Sequence, residues 1–173
     1  MAETDFVSAL SQLLVNPALR ESFFNHPETV ADRLNISDSE RAMFISLPPE
    51  QIKHQAQLLI TKRMRETFTQ IPLTVKWLGE SAAAAFREYA IQYWPDTHRR
   101  HSIDVFHFLL YLRERQLPFN KSEYNRIRFK CARKRLQICF VKDAMLNGRL
   151  HAVLQVIYRM KNDLCEWRIY FKA

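Results

Sequence analysis

The side chains that could do chemistry are six histidines and three cysteines, and few of them come at a useful spacing. His98, His101 and Asp104 follow one another at three-residue intervals. Imidazole and carboxylate groups at this spacing would suit a metal site or an acid–base pair. Polar residues that precede and begin a helix give the same pattern, and we favour that interpretation.

The sequence carries no other catalytic motif. Cys131, Cys139 and Cys165 form no Cys-x-x-Cys pair, so neither a zinc site nor a disulfide framework is expected. There is no glycine-rich phosphate loop and no Gly-x-Ser-x-Gly nucleophile turn. We therefore predict that the chain is not an enzyme by itself and holds no cofactor or metal of its own. Its acidic N-terminus, lack of a membrane-spanning apolar run and unpaired cysteines predict a cytoplasmic protein without membrane association.

The positive charge of the chain is confined to its last third. Residues 121–173 contain 13 Lys/Arg and 4 Asp/Glu, a net of +9, whereas residues 1–120 contain 13 Lys/Arg and 14 Asp/Glu, a net of −1. So many cations with so few acids repel one another, which destabilises the segment unless an anionic partner binds. A solvated outer face that binds nothing is the simpler interpretation of the same charges.

Alternation of polar and apolar residues predicts strands in this basic segment. The alternating stretch 126–131 predicts a first strand with cations on one face, and Trp167, Ile169 and Phe171 lie opposite the basic residues of the last strand. Arg133-Lys134 is typical of a hairpin tip, and an edge strand could accept an extended acidic peptide. The predicted peptide-binding residues are Arg126, Arg128, Lys130, Arg133, Lys134, Arg135, Arg168, Tyr170 and Lys172.

The predicted fold class is α+β, with an all-α domain followed by an antiparallel sheet of about four strands. Apolar residues at helical spacing and capping residues predict consecutive helices over residues 1–118. Asn16-Pro17 separates the first two helices, Ser37 and Glu40 form a capping-box signature, and Pro48-Pro49 opens the longest helix. Residues 119–173 form the predicted β module, with Asn147-Gly148 as a turn.

A series of short motifs runs through the middle of the chain. They are Lys62-Arg63, Ile71-Pro72-Leu73-Thr74, Trp77-Leu78-Gly79 and Phe86-Arg87-Glu88-Tyr89-Ala90, followed by Trp94-Pro95, Arg100-His101, Asp104 and Phe108. Over residues 6–115 this order resembles a bacterial helical domain with a basic helix, Leu/Phe-Pro-x-Thr, a Leu-Gly cap and Phe-x-x-Tyr/Leu-Ala. That domain occurs in partner subunits of multinuclear non-haem iron oxidative enzymes, which modify cysteines in ribosomally made peptides.

The resemblance implies a division of labour between the two predicted domains. The helical domain, residues 1–118, would dock on an iron enzyme with a triose-isomerase-type barrel. The β module, residues 119–173, would bind the leader of a precursor peptide and present its cysteine to that enzyme. The iron, and the residues that bind it, would belong to the partner enzyme, so this chain would be a non-catalytic subunit of a heterodimer.

Two other functions fit parts of the sequence. A DNA-binding regulator is permitted by the net charge of +8 and the isoelectric point of 9.6, although the sequence contains no predicted recognition helix rich in Arg, Asn or Gln. A metalloenzyme would use His98, His101 and Asp104. We expect nucleic acid to be the less favoured partner.

Overall fold

The computed structural model describes residues 4–95, 100–132, 134–146, 149–161 and 163–171, and these residues form an α+β fold. In this described part nine helices precede one antiparallel sheet, which confirms the predicted fold class. The helices are α1 Phe6–Val15, α2 Pro17–Asn25, α3 Pro27–Arg33, α4 Asp38–Ile45, α5 Pro49–Gln70, α6 Pro72–Leu78, α7 Ser81–Gln92, α8 Arg100–Glu114 and α9 Lys121–Cys131. The strands are β1 Leu136–Leu146, β2 Arg149–Met160 and β3 Asp163–Phe171.

The chain packs as two compact units, with two of the three boundaries between them inside the helices α5 and α7. One unit comprises Met1–Arg63 with Ala90–Trp94, and the other comprises Met64–Tyr89 with Pro95–Ala173. The second unit therefore contains the sheet together with the helices α6, α8 and α9. The assignment of residues 1–118 to enzyme docking and of 119–173 to peptide binding stays a prediction.

The first unit is built on short helices that begin where the sequence predicts. Asn16 accepts a hydrogen bond from Leu19 N at 3.0 Å and Pro17 occupies the first turn of α2, so cap and proline act together. The predicted capping box at α4 does not form, because Ser37 makes no side-chain cap hydrogen bond and the Glu40 carboxylate accepts from Phe6 N at 2.9 Å. The core of this unit consists of Ala9, Leu13, Leu19, Phe23, Val30, Ala31, Ile36, Phe44 and Ile52.

The helices of the second unit pack around a group of aromatic rings. Phe86 and Phe108 are fully buried, with ring centroids 5.1 Å apart in an edge-to-face arrangement. Tyr89 packs on both rings and donates its hydroxyl hydrogen bond to Asp104 Oδ1 at 2.7 Å. The Phe-x-x-Tyr motif and Asp104 therefore join α7 to the first turns of α8.

A buried carboxylate holds the N-terminus of α6. Glu123 is 1% exposed, and it accepts hydrogen bonds from Leu73 N and Thr74 N at 2.8 Å and from Thr74 Oγ1 at 2.7 Å. The first amides of a helix have no partner within the helix, and a negative charge at this end also interacts favourably with the helix dipole. The Pro-x-Thr motif is thus a docking point for α9, since Asn120 N also donates to Thr74 Oγ1 at 3.0 Å.

The prediction of a first strand over residues 126–131 is wrong, because these residues form the end of helix α9. Asn120 caps this helix by accepting from Glu123 N at 3.0 Å. Glu123 and Ile127, four residues apart, are both buried, so a helical stripe coexists with the two-residue alternation. The predicted hairpin tip is also wrong at Lys134, which lies in the connection from α9 to β1, and Arg133 lies outside the described residues.

The sheet has three strands in the order β1-β2-β3, one fewer than predicted, since the missing strand is α9. β1 pairs with β2 from Leu136↔Tyr158 onward, with an irregularity between Val141 and Ala144. β2 pairs with β3 without interruption from Ala152↔Phe171 to Met160↔Asp163. The predicted turn at Asn147-Gly148 lies outside the described residues.

Within the described residues no helix is both long enough and apolar enough to cross a bilayer.

We expect Glu123→Gln to lower the free energy of unfolding by about 2 kcal/mol, because a charged acceptor of three buried hydrogen bonds becomes a neutral amide. Urea unfolding followed by circular dichroism measures the change. Glu80→Gln, at an exposed site in the same unit, is the matched control and should change stability by less than about 0.5 kcal/mol. Equal stability of the two variants would contradict the capping role.

Candidate functional site

The two faces of the sheet differ in what covers them. Along β2 the side chains of Val153, Gln155 and Ile157 are fully buried, whereas the intervening Leu154 and Val156 are only half-buried. Strand geometry places alternate residues on opposite faces, so one face of the sheet is covered and the other is open. Helix α9 covers the face that carries Gln155, as the following hydrogen bonds establish.

Gln155 connects the central strand to α9. Its side-chain amide donates to Ser122 O at 2.8 Å and to Glu166 Oε1 at 2.9 Å, and its carbonyl accepts from Asn125 Nδ2 at 3.2 Å. A fully buried amide needs such partners, because each unsatisfied group would cost free energy. Sequence reasoning missed this residue, although a glutamine between Val153 and Ile157 on the same strand face is a signal of a buried polar contact.

Arg168 lies on the covered face, next to Gln155 in the β2–β3 register, and is not part of an open cationic surface. It forms an ion pair with Glu166, and the exposed fractions of the two side chains are 27% and 14%. Burial alone would lower the pKa of Arg168, but hydrogen bonding and Coulomb attraction from Glu166, with a smaller contribution from Tyr170, outweigh it and raise the pKa. The prediction of an open Arg168 is wrong because its neighbour Glu166 neutralises it under the helix.

Arg159 caps the C-terminus of α9. Its Nη2 donates to the carbonyl oxygens of Phe129, Lys130 and Ala132 at 3.0–3.2 Å, and its Nε donates to Lys134 O at 3.2 Å. Carbonyls at a helix end lack partners within the helix, and a cation there also suits the helix dipole. Sequence reasoning missed Arg159, because the helix that it caps was itself predicted as a strand.

Two of the predicted peptide-binding cations attach α9 to the end of α5. Arg126 donates to Gln70 O, and Lys130 Nζ donates to Gln70 Oε1 at 3.0 Å. The pair lies four residues apart on one side of α9, which is the spacing of neighbours on a helix. These two cations therefore have structural partners, and α9 does not present a continuous row of unpaired basic residues.

The other predicted residues lie at separate places. Arg128 is exposed on α9, with its guanidinium 5.7 Å from the Tyr124 ring centroid. Tyr170 is 39% exposed near the end of β3, edge-on to the His151 ring. Lys134 and Arg135 are exposed before β1, whereas Arg133 and Lys172 lie outside the described residues.

The open face of the sheet is apolar, which reverses the predicted orientation. On β3 the apolar residues that lie opposite the predicted cationic face, Trp167, Ile169 and Phe171, are 65%, 50% and 43% exposed. The prediction of an open cationic face implies that this apolar face packs inward, as the hydrophobic effect normally requires. The structure differs because the polar face supplies the partners that α9 needs, and α9 occupies only that face.

Two strand edges are open in the described part of the chain, since no strand there pairs with the outer side of β1 or of β3. The β1 edge is interrupted by the irregularity between Val141 and Ala144 and carries the exposed Lys142. Bulges and lysines are features that protect an edge from pairing. The β3 edge is regular over all nine residues, Asp163–Phe171, and is the better template for an added strand.

Exposed cations gather at one end of the sheet. Lys134 and Arg135 precede Leu136, which pairs with Tyr158, and Lys161 follows β2 at the same end. All three side chains are exposed. We call these three residues the cationic end of the sheet.

The metal site that the sequence offers as an alternative is not assembled from the described residues. His101 Nδ1 lies 2.7 Å from Glu66 Oε2, whereas Asp104 is 4% exposed and accepts from Tyr89, and His98 lies outside the described residues. Among the described side chains no three His, Cys, Asp or Glu residues are placed to hold a metal ion. Next to His101 a cleft of about 380 Å³ is lined by Ser102, Ile103, Lys130, Cys131 and Arg159.

We expect Gln155→Leu to lower the free energy of unfolding by about 2 kcal/mol, because it removes the hydrogen bonds to Ser122 O and Asn125 Nδ2 on α9 and leaves Glu166 with Arg168 alone. Gln137→Leu on β1 is the matched control. Gln137 lies on the same face, is half-buried and donates to Cys139 Sγ, so its loss should cost less than about 1 kcal/mol. Chemical denaturation measures both, and a stable Gln155→Leu protein would show that α9 does not depend on this contact.

Comparison of the chain with protein-family models, with curated proteins and with solved structures finds no match.

Proposed function

We propose that this protein is a non-catalytic partner subunit that binds a ribosomally made precursor peptide as an added strand on the outer edge of β3. The observation that carries the proposal is the regular, nine-residue edge strand Asp163–Phe171. An extended peptide that pairs with such an edge gains main-chain hydrogen bonds, while its alternate side chains set the register. The leader part of the precursor would supply this strand.

The cationic end of the sheet favours binding of an acidic peptide. Lys161 lies in the connection between β2 and β3, so a peptide paired with β3 would have one end close to it. Lys134 and Arg135 extend the positive charge across the same end of the sheet. Each exposed ion pair is worth about 0.2–1 kcal/mol, so main-chain pairing has to provide most of the affinity.

The enzyme partner in this proposal comes from the family resemblance. A multinuclear iron-dependent oxidase with a barrel fold would bind the helical part of the chain and receive the cysteine of the bound peptide. The chemistry and the iron would belong to that enzyme. The motifs that carry the resemblance have structural contacts in this chain, with Thr74 binding Glu123 and Tyr89 binding Asp104.

The DNA-binding alternative has less support. Of the basic residues on α9, Arg126 and Lys130 contact Gln70, and this leaves no continuous cationic row on that helix for the phosphates of DNA. Affinity for duplex DNA that falls steeply with salt, together with no affinity for a peptide, would favour this alternative.

We expect reversal of the cationic end, Lys134→Glu with Arg135→Glu and Lys161→Glu, to weaken peptide binding about tenfold or more, since three pair energies add up. Fluorescence anisotropy with a labelled acidic leader peptide measures the affinity. The control is Lys62→Glu with Arg65→Glu and Arg87→Glu, which makes the same change in charge at exposed helical positions. Similar losses of peptide affinity in both variants would show that the effect comes from the net charge and not from the position of the three cations.

Hydrogen exchange on the same complex identifies the edge that the peptide uses. Amides of residues 163–171 should exchange more slowly when the peptide is bound, whereas those of β1 should not change. Protection of β1 alone would contradict the choice of edge. No binding of the leader by the wild-type chain would contradict the proposed function itself.

A further inference from the structure

The open face of the sheet is a continuous apolar surface. We call nine outward-facing side chains from the described parts of the three strands the apolar face: Leu136, Ile138, Phe140, Leu154, Val156, Tyr158, Trp167, Ile169 and Phe171. On the edge strands these side chains are 43–65% exposed. Aromatic rings lie close together within it, with Phe140 6.2 Å from Phe171 and Tyr158 6.5 Å from Trp167.

The size of this surface is that of a protein interface. The exposed fractions correspond to roughly 700 Å² of accessible area, whereas the largest apolar patch on a typical monomer is about 300–600 Å². Each side of a standard protein–protein interface buries about 800 Å². Burial of this face by one partner is therefore enough to hold a specific complex.

The chemistry of the apolar face limits what can cover it. None of its nine residues carries a charge, so it offers nothing to the phosphates of a nucleic acid or to the carboxylates of an acidic peptide. Its partner must be a flat apolar surface of similar area. Elsewhere in the described part of the chain the exposed large hydrophobic residues are Met160 at the end of β2, Tyr170 on the other face of β3, and four single positions on different helices: Val7, Met43, Leu58 and Ile91.

We propose that the apolar face binds the same face of a second copy of this chain, which makes a symmetric dimer. Two three-stranded sheets would stack face to face about 10 Å apart, as in a β-sandwich. A surface that is apolar throughout and has the area of half an interface is complementary to itself across a two-fold axis. The dimer provides the second layer that a sheet with one open apolar face lacks.

The charge of the chain determines how the two copies are oriented. Each copy carries a net charge of +8, and the exposed cations Lys134, Arg135 and Lys161 lie at one end of the sheet. A two-fold axis that lies between the two sheets and runs perpendicular to the strands places these cationic ends at opposite ends of the sandwich. An axis parallel to the strands would instead bring the six exposed cations to the same end, where they would repel one another.

The dimer goes beyond the proposed function and does not depend on it. Face-to-face stacking uses side chains, whereas strand addition uses the backbone groups at the outer edge of β3, so that edge stays open in each copy. A dimer would thus offer two peptide-binding edges. Failure to bind a peptide would leave this inference intact, and a monomeric chain would leave the peptide proposal intact.

Sedimentation equilibrium on the full chain tests the dimer. At about 50 µM protein we expect twice the chain mass of 20.6 kDa, and the double variant Ile138→Lys with Trp167→Lys should sediment as a monomer, with its dissociation constant raised at least 100-fold. Both positions are at least 60% exposed, so circular dichroism should show an unchanged fold. Leu58→Lys with Ile91→Lys, at exposed helical positions, is the matched control and should remain dimeric.

Several outcomes would overturn the proposal. A wild-type chain that is monomeric at this concentration would assign the apolar face to a different protein. A dimer that survives the Ile138 and Trp167 substitutions would place the interface elsewhere. Heterogeneous larger species that these substitutions abolish would identify the face as an aggregation surface rather than a two-fold interface. If the lysine variant is unfolded, Ile138→Ser with Trp167→Ser is measured instead, with the same expected result.

Discussion

The packing of α9 against one particular face of the sheet is the constraint on which the rest of the second unit depends. Gln155 binds the first turn of α9 through Ser122 O, and Arg159 binds the carbonyls at its other end. These two residues of the central strand fix the helix at both ends against one face. The opposite face, which carries the large apolar side chains, therefore remains open, as does the outer edge of β3.

The helices of the second unit support this arrangement through polar contacts that range from buried to exposed. Glu123, on the first turn of α9, also satisfies the first amides of α6. Arg126 and Lys130 attach the same helix to the last residue of α5. Polar groups therefore help to hold α9, and three of the cations predicted to bind a peptide, Arg126, Lys130 and Arg168, have structural partners instead.

The helical part of the fold could be predicted from sequence because its signals are local. Asn16-Pro17 and Pro48-Pro49 mark helix starts through backbone chemistry that does not depend on the rest of the fold. The family resemblance selected Thr74, Tyr89 and Asp104, and all three make buried contacts. The sequence gives no local sign, however, that Thr74 would bind a carboxylate about 50 residues further along the chain.

The prediction failed where two periods coexist. Residues 126–131 alternate like a strand, but the Asn120 cap and the pair Glu123 and Ile127 make them helical. Because the sequence predicts α9 as a strand, no helix is predicted to cover the sheet. The apolar face is then the one expected to pack inward. The orientation is decided by long-range hydrogen bonds of Gln155, Arg159 and Glu166, which periodicity cannot reveal.

The placement of α9 can be measured directly by nuclear magnetic resonance on the full chain. A nuclear Overhauser effect between the side-chain amide of Asn125 and the side chain of Gln155, whose donor and acceptor atoms lie 3.2 Å apart, is the expected result. Contacts from Asn125 to Val156 or Trp167 instead would place the helix on the other face of the sheet and would contradict the account.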